Sequence, residues 1–369
     1  MALHPSINKR LATEARQALL IPPGMDGVHV GVPFGPTALN EVEKLNATKV
    51  YVMANKSSKS PVEDFVKTLD EKGILAAPIN CDVSMGGAED GLLKACNEAA
   101  SVNADCVLTI GGGAVQDAGK FVRLWLSAAA DGDAETATVD GILAAQKRDP
   151  MPPLPPQICC PNSFAMAELT HVAGVVTRDN VKKGATHPSM MPTVVIFDNT
   201  FARGLPDWVK FGTALRGVEH AIGAICHPNA TDDIRARALQ GLKFVNKFNV
   251  HQGSCSGILS ARILHYHREE SLLYQKSISQ VLVMDNGDSD GEQEALSPAP
   301  QLVSDLVATL PGVAKDHADA KVDEEMLKDF AESMYNQYGG KMNKLCPKSF
   351  DTAGDVYEML VLPIASLAG

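Results

Sequence analysis

An α/β domain built on a parallel sheet, followed by an all-helical domain, is the fold class this sequence predicts. Three observations carry it. From residue 49 to about 200, short β-branched runs alternate with helical patterns, the signature of βαβ units around a parallel sheet. After Leu205-Pro206 the texture changes and helical periodicity runs to the end. In the first half, Thr109-Ile110-Gly111-Gly112-Gly113 takes a buried strand into three glycines and then a helix. At roughly 100–200 residues per domain, the 369 residues divide into an α/β domain over 1–203 and a helical domain over 204–369.

The strands expected in chain order are Lys49–Ala54, Ile74–Ile79, Cys106–Ile110, Gln157–Cys160 and Val194–Phe197. Between them Pro61–Lys72 and Ala88–Ala100 carry apolar residues at helical spacing, with Ser60 and Gly87 placed to cap them. The proline-rich run 149–156 cannot be regular structure, because proline removes a donor and fixes φ, and reads as a stiff loop feeding the next strand. In the second half Trp208–Cys226 reads as one helix begun by Pro206 and Asp207. Thr231-Asp232-Asp233 caps another, whose Ile234, Ala238, Leu242 and Val245 fall on one stripe. The acidic, Gly-, Ser- and Pro-rich stretch 285–300 is too polar to bury and reads as a mobile loop. Its Asn286-x-Asp288-x-Asp290-Gly291 imitates half a calcium loop, but Ser297 stands where a bidentate Glu is required.

Composition excludes several classes. With 33 Lys and Arg against 44 Asp and Glu, the net charge of −11 is opposite to what a nucleic acid attracts. No run of 18 apolar residues is present, so no membrane span is expected. Eight cysteines without a C-x-x-C pair, most of them in apolar runs, read as buried thiols in a reducing compartment. No basic-then-apolar leader follows Met1, which makes the cytoplasm the default.

The strongest chemical signal is Gly111-Gly112-Gly113-Ala114-Val115-Gln116-Asp117-Ala118-Gly119-Lys120. Three residues without Cβ let backbone N–H groups approach a diphosphate, and the helix start adds positive potential. It is neither G-x-G-x-x-G nor a P-loop, since five residues separate Gly113 from Gly119 and Phe121 follows Lys120. A tight strand-to-helix turn is the alternative reading. Pro161-Asn162-Ser163-Phe164-Ala165-Met166-Ala167-Glu168-Leu169-Thr170 again follows a strand, and its short polar side chains suit a pocket wall. Lys182-Lys183-Gly184 reads by itself as a solvated turn.

The order of these motifs resembles the iron-containing alcohol dehydrogenase superfamily. Gly-Gly-Gly-x-x-x-Asp-x-x-Lys is followed by Pro-Asn-Ser, by Lys-x-Gly, by Met-Pro-x-x-x-Ile-x-Asp and by a helix bearing His-Ala-Ile. Within the superfamily the chain is most similar to the maleylacetate reductases and a related fungal, metal-independent branch, since Pro161–Thr170 matches the reductases' Pro-Thr-Thr-Tyr-Ala-Gly-Ser-Glu-Met-Thr without a gap. Val28–Gly35 resembles the family's opening strand, and the resemblance covers about residues 28–225. It implies the two-domain architecture shared with dehydroquinate synthase, with NAD or NADP and a small-molecule substrate in the cleft between the domains, and a homodimer. By matching position, Gly111, Gly112, Gly113, Gln116 and Asp117 would hold the diphosphate, Asn162 and Ser163 would stand near the cofactor, and Lys182 near the nicotinamide. Asn55 falls where NAD-specific relatives carry an acid that grips the ribose 2′-hydroxyl. With Lys56, Ser57 and Ser58 adjacent, the 2′-phosphate of NADP is tolerated.

The departures from the family pattern shape the expected chemistry. Metal-dependent relatives place an Asp four residues before the His of His-Ala-Ile, so that both ligands share a helical face. Here His220-Ala221-Ile222 is preceded at that spacing by Arg216, whose guanidinium repels a cation, as in the non-metal fungal branch. His251-Gln252-Gly253 resembles the family's last Gly-His-Gly turn with Gln at the histidine, and His265 and His267 read as surface or amphipathic residues on different sides of a helix. No metal is therefore expected. Arg216 would clamp a substrate carboxylate or enolate and His220, one turn along, would supply a proton; the alternative gives His220 a structural role and pairs Arg216 with an acid such as Glu168. The expected activity is a metal-independent NAD(P)H-dependent reductase of a small oxo- or unsaturated acid or a secondary-metabolite carbonyl. The alternative is a family member turned to lyase, isomerase or cyclase chemistry, or an inactive homologue.

Overall fold

The computed structural model describes residues 22–83, 88–130, 136–179, 181–203, 205–236, 238–239, 254–283, 298–308, 316–319, 321–345 and 348–362. The chain divides into two units between Leu205 and Pro206. No described helix is long and apolar enough to cross a membrane.

The first unit is a five-stranded parallel sheet in the order β1-β7-β4-β3-β2, formed by β1 (Gly27–Val30), β2 (Val50–Ala54), β3 (Cys106–Gly111), β4 (Gln157–Pro161) and β7 (Val194–Phe197). The middle strands β3 and β4 are buried along their whole length because helices cover both faces. Alternation of side chains across the pleat divides the core. Val50, Val52, Leu108, Ile110, Ile158 and Ile196 pack on one face against α1 (Phe34–Lys44) and α2 (Lys59–Glu71). Tyr51, Met53 and Val107 pack on the other against α3 (Glu89–Ser101), α4 (Gly113–Ala130) and α5 (Val139–Ala145). A short α6 (Asn199–Arg203) follows β7. Between β7 and α6, Asp198 accepts a hydrogen bond from Phe34 N at 2.8 Å, so the strand end on the far side of the sequence caps α1.

Three expectations for this unit change. Ile74–Ile79 is not a continuous strand: it touches β2 only through the bridges Val50–Leu75 and Met53–Asn80, because Pro78 offers no amide to the ladder. Ser60 lies inside α2, whose N-cap is Ser58, and Gly87 lies outside the described residues. The segment Lys182-Lys183-Gly184 is not a turn but belongs to β6 (Lys182–Thr186), which pairs antiparallel with β5 (Val172–Val176).

α4 lies unusually close to the sheet at Gly119, where an added Cβ would sit 2.5 Å from both Gln157 Nε2 and Thr109 Cγ2. Gly119→Ala is expected to cost about 1–3 kcal/mol despite alanine's better helix propensity, because the helix must lift away from the strands. A urea melt that leaves stability unchanged would show that the helix yields freely.

The second unit is helical: α7 (Asp207–Cys226), α8 (Ser254–Tyr266), α9 (Arg268–Val283), α10 (Ala299–Ala308), α11 (Glu324–Leu345) and α12 (Ala353–Val361). Val218, Ile222 and Ile225 form the inward stripe of α7 and pack with Ala261 and Leu264 of α8, Ile278 of α9 and Val303 of α10. α11 and α12 build a second cluster around Leu327, Phe350 and Met359, and Thr352 with Asp355 forms a capping box at the start of α12. Thr231 caps the helical turn at 232–236, with Ile234 N donating to its hydroxyl. Of the acidic stretch, 284–297 lies outside the described residues, while Ala299 and Pro300 already begin α10.

His265 and His267 correct the surface assignment. Both are buried, at 8% and 4% exposure. The helix ends at Tyr266, and Lys348 and Phe350 close over His267: the Lys348 amide donates to its Nδ1 at 3.2 Å, and the Phe350 ring meets it edge-on.

Candidate functional site

The glycine turn sits at the carboxyl edge of the sheet, where β3 delivers Gly111 to the start of α4. The carbonyl of Gly112 accepts from Val115 N and Gln116 N and so opens the helix. By helix geometry the amides ahead of these two, those of Gly112, Gly113 and Ala114, have no helical carbonyl behind them and point outward. Each glycine has a close neighbour. A Cβ on Gly111, which holds φ at +156°, would lie 2.8 Å from Asn55 Oδ1; one on Gly112, 3.2 Å from Ser163 Oγ; one on Gly113, 3.0 Å from Ala165 Cβ.

β4 brings Asn162 and Ser163 alongside. Asn162 N donates to Gly111 O, and its side-chain amide donates to Asn55 Oδ1 and Ser58 Oγ, both at 3.0 Å. Ser58 Oγ in turn donates to Asn55 Oδ1 at 2.7 Å, and Asn55 Nδ2 donates to Ser57. Asn162 is therefore a strut tying the ends of three strands together. Asn55 also differs from its expected role, since its amide is turned inward to hold this strut rather than left for a ribose hydroxyl. Ser58, which joins the two asparagines, carried no signal in the sequence beyond being one more serine after a strand. Ser163 is 8% exposed and its hydroxyl has no hydrogen-bond partner.

Gln116 was expected to touch a diphosphate, but its side chain has no exposure. Its Oε1 accepts from Thr109 Oγ1 at 2.6 Å and its Nε2 donates to Gly111 O at 3.0 Å. It fixes the turn from beneath. Asp117 is likewise committed to the protein, accepting from Gly174 N at 3.0 Å and pairing with Lys120 at 3.1 Å, so it anchors the β5–β6 hairpin instead of meeting an anion. Burial holds its carboxyl above the usual range, against the pull of Lys120 and the Gly174 amide. Lys182 stands exposed over this hairpin, its Cε 3.2 Å from the Cβ position of Gly174, which lies 4.0 Å from Asp117 Oδ2.

Glu168, two turns of chain beyond Ser163, is 1% exposed and its Oε1 has no partner. Burial pushes its carboxyl up to about 7, with Lys120 opposing and Asp117 adding to the shift. Because the folded value lies above the unfolded one, the native state holds the extra proton, and the stability it confers is lost as pH rises from about 4.5 through about 7. Glu168→Gln, which never ionises, is expected to melt higher than wild type at pH 8 and no higher at pH 4.5. Equal gains at both values would exclude a buried, proton-holding carboxyl.

In the second unit Arg216 and His220 lie one turn apart on α7 and both are exposed. Arg216 meets Glu219 at 3.8 Å, not the Glu168 pairing considered from sequence. His251 and Gln252 lie outside the described residues. Arg216 and His220 offer one ligating nitrogen and one cation between them, and among the described residues no three of His, Cys, Asp or Glu converge. A dinucleotide does fit the first unit: the outward amides, the glycine surface that any side chain would fill, and the unpartnered Ser163 hydroxyl lie together.

Residues 32–199 match the family model for the iron-containing alcohol dehydrogenases. Among curated proteins, the chain is 25% identical over 203 residues to a maleylacetate reductase of Rhizobium sp. (strain MTP-10005), covering 55% of this chain and 49% of that protein. It is 27% identical over 219 residues to Dehydrogenase FUM7 of Gibberella moniliformis, covering 55% and 50%. The chain thus spans about half the length of the curated relatives it matches. The structure of maleylacetate reductase from Agrobacterium tumefaciens aligns with a TM-score of 0.64 at 18% identity, over 93% of this chain and 96% of that one, which shows a shared fold.

Proposed function

Because the chain belongs to the iron-containing alcohol dehydrogenase superfamily, on its maleylacetate reductase-like side, we propose that it is a metal-independent NAD(P)H-dependent reductase of a small oxo acid or related carbonyl compound. The observation that carries the reading is the unpartnered Ser163 hydroxyl set against Gly112 at the first turn of α4. The amides of Gly112, Gly113 and Ala114 hold the diphosphate, and Ser163 donates to one of its oxygens. Gln116, Asn162 and Asn55 keep these groups aimed. When bound, a reduced nicotinamide supplies a hydride to the carbonyl carbon. As the C=O electron pair moves onto oxygen, His220 gives that oxygen a proton and, being exposed, regains one from water. Arg216 holds the substrate carboxylate, its planar fork matching two oxygens. Asn55 presents no acid to repel a 2′-phosphate, and Lys56 follows it, so NADP is accepted.

The test is oxidation of NADH or NADPH by oxo acids, followed at saturating dinucleotide with and without a chelator. Activity indifferent to the chelator is expected. His220→Gln is expected to lower kcat by about 100-fold while dinucleotide affinity holds. A requirement for added iron or zinc would overturn metal independence, and absence of any dinucleotide oxidation would overturn the reductase reading.

A further inference from the structure

The helical unit contains a cavity of about 320 Å³. Its walls are mainly stripes of two helices, with Ser271 of α9 also lining it. His220, Gly223 and His227 lie along α7 and just past its end at helical spacing, and Ser260, Ile263 and His267 along and just past α8. The lining is mostly apolar. It includes no Lys or Arg, and its acid, Glu219, is the partner of Arg216. At about 30 Å³ for each water-sized group, the space holds on the order of ten non-hydrogen atoms.

Three features of this cavity bear on what fills it. Arg216 stands one turn before His220 on the stripe that continues through Gly223, so a carboxylate holder, a proton donor and an apolar chamber follow one another along α7. Ser260 is 3% exposed and its hydroxyl has no hydrogen-bond partner. His267 receives the Lys348 amide at Nδ1, which leaves its ring hydrogen on Nε2, and burial pushes it down to about 4, so it stays neutral. A second carboxylate on the arm would meet no Lys or Arg in this chamber and would be desolvated against mostly apolar walls. A neutral oxygen has a serine waiting for it.

We infer that the substrate is a monocarboxylic oxo acid with an apolar arm of up to about ten non-hydrogen atoms carrying one neutral oxygen, its carboxylate at Arg216, its reacting carbonyl at His220 and its arm between α7 and α8. This rests on the reductase reading for the chemistry at His220, but the chamber binds the arm whether or not turnover occurs. The arm sets affinity: each buried methylene multiplies binding by about fourfold.

The full chain is titrated calorimetrically with acetate, octanoate and 8-hydroxyoctanoate, none of which can be reduced at a carbonyl, and in parallel assayed for NAD(P)H oxidation by straight-chain 2-oxo acids of three to ten carbons. Octanoate is expected to bind at least tenfold tighter than acetate, and the hydroxylated probe tighter still. Gly223→Leu places a side chain where an added Cβ meets nothing within 4 Å, so the helix accommodates it; it is expected to lower octanoate affinity at least tenfold more than acetate affinity. Ser260→Ala is expected to remove the preference for the hydroxylated probe. Equal binding of acetate and octanoate, or an octanoate preference that survives Gly223→Leu, would overturn the inference. If the binding pattern holds while no oxo acid oxidises the dinucleotide, the reductase reading falls and the chamber stands.

Discussion

Gly112→Asp is expected to abolish dinucleotide binding, with affinity for NADH and NADPH falling by about 100-fold or more in a fluorescence titration. The new Cβ would sit 3.2 Å from Ser163 Oγ, a contact tight enough to push that hydroxyl aside. The carboxylate beyond it accepts hydrogen bonds from the same first-turn amides that the diphosphate needs, and repels the diphosphate by charge. Gly112→Ala adds the Cβ without the charge and is expected to lose less, about tenfold. The fold should survive both changes, because Gly112 is partly exposed and holds no left-handed conformation. Unaltered affinity in the aspartate variant, with the far-UV spectrum of the wild type, would mean that no diphosphate rests on this turn.

The largest loss of stability is expected from Lys120→Met. Lys120 is wholly buried, and its ammonium donates to Val172 O at 2.6 Å, Ala167 O at 2.7 Å and, more weakly, Thr170 Oγ1 at 3.4 Å, while pairing with Asp117 at 3.1 Å. Methionine fills the space but leaves Ala167 O and Val172 O only the longer bonds from Thr170, at 3.2–3.4 Å, and the Asp117 charge without its cation. Removing one member of such a set costs about 3–5 kcal/mol. Asp117 retains partial access to water, which favours the lower end. Because Lys120 ties α4 to the start of β5, amide exchange over Val172–Val176 should accelerate before the central sheet opens. A urea midpoint equal to that of wild type would show that water replaces the ammonium without loss.

Much of this architecture is legible in the residues, since β-branched runs and helical spacing are local signals. Val50–Ala54, Cys106–Gly111 and Val194–Phe197 appear as strands within a residue of where the pattern places them. The glycine run announces a close approach without saying to what. What remains hidden depends on partners distant in the chain. Pro78 breaks a run that otherwise reads as a strand, and the small and charged residues of 182–186 become a strand only because β5 lies beside them. Gln116 and Asn55 look like ligand contacts by their place in a motif, yet Thr109 and Asn162 claim them. His265 and His267 look exposed because spacing on one helix says nothing of a break at His267 or of Phe350 arriving from later in the chain.

The buried trio Thr109, Gln116 and Gln157 has a consequence for anyone moving this turn elsewhere. Gln157 Nε2 donates to Thr109 Oγ1 and to the backbone carbonyl of Gln116, both at 3.1 Å, so two strands and the helix are keyed together behind the glycines. A helix rotated by one residue turns through about 100° and would carry the Gln116 side chain away from Thr109, leaving a buried amide without its partner. The trio thus acts as a rotational lock, aiming the outward N–H groups from a layer no ligand reaches. Grafting Gly111–Lys120 alone onto a foreign sheet would transplant the spelling of the motif without its compass bearing.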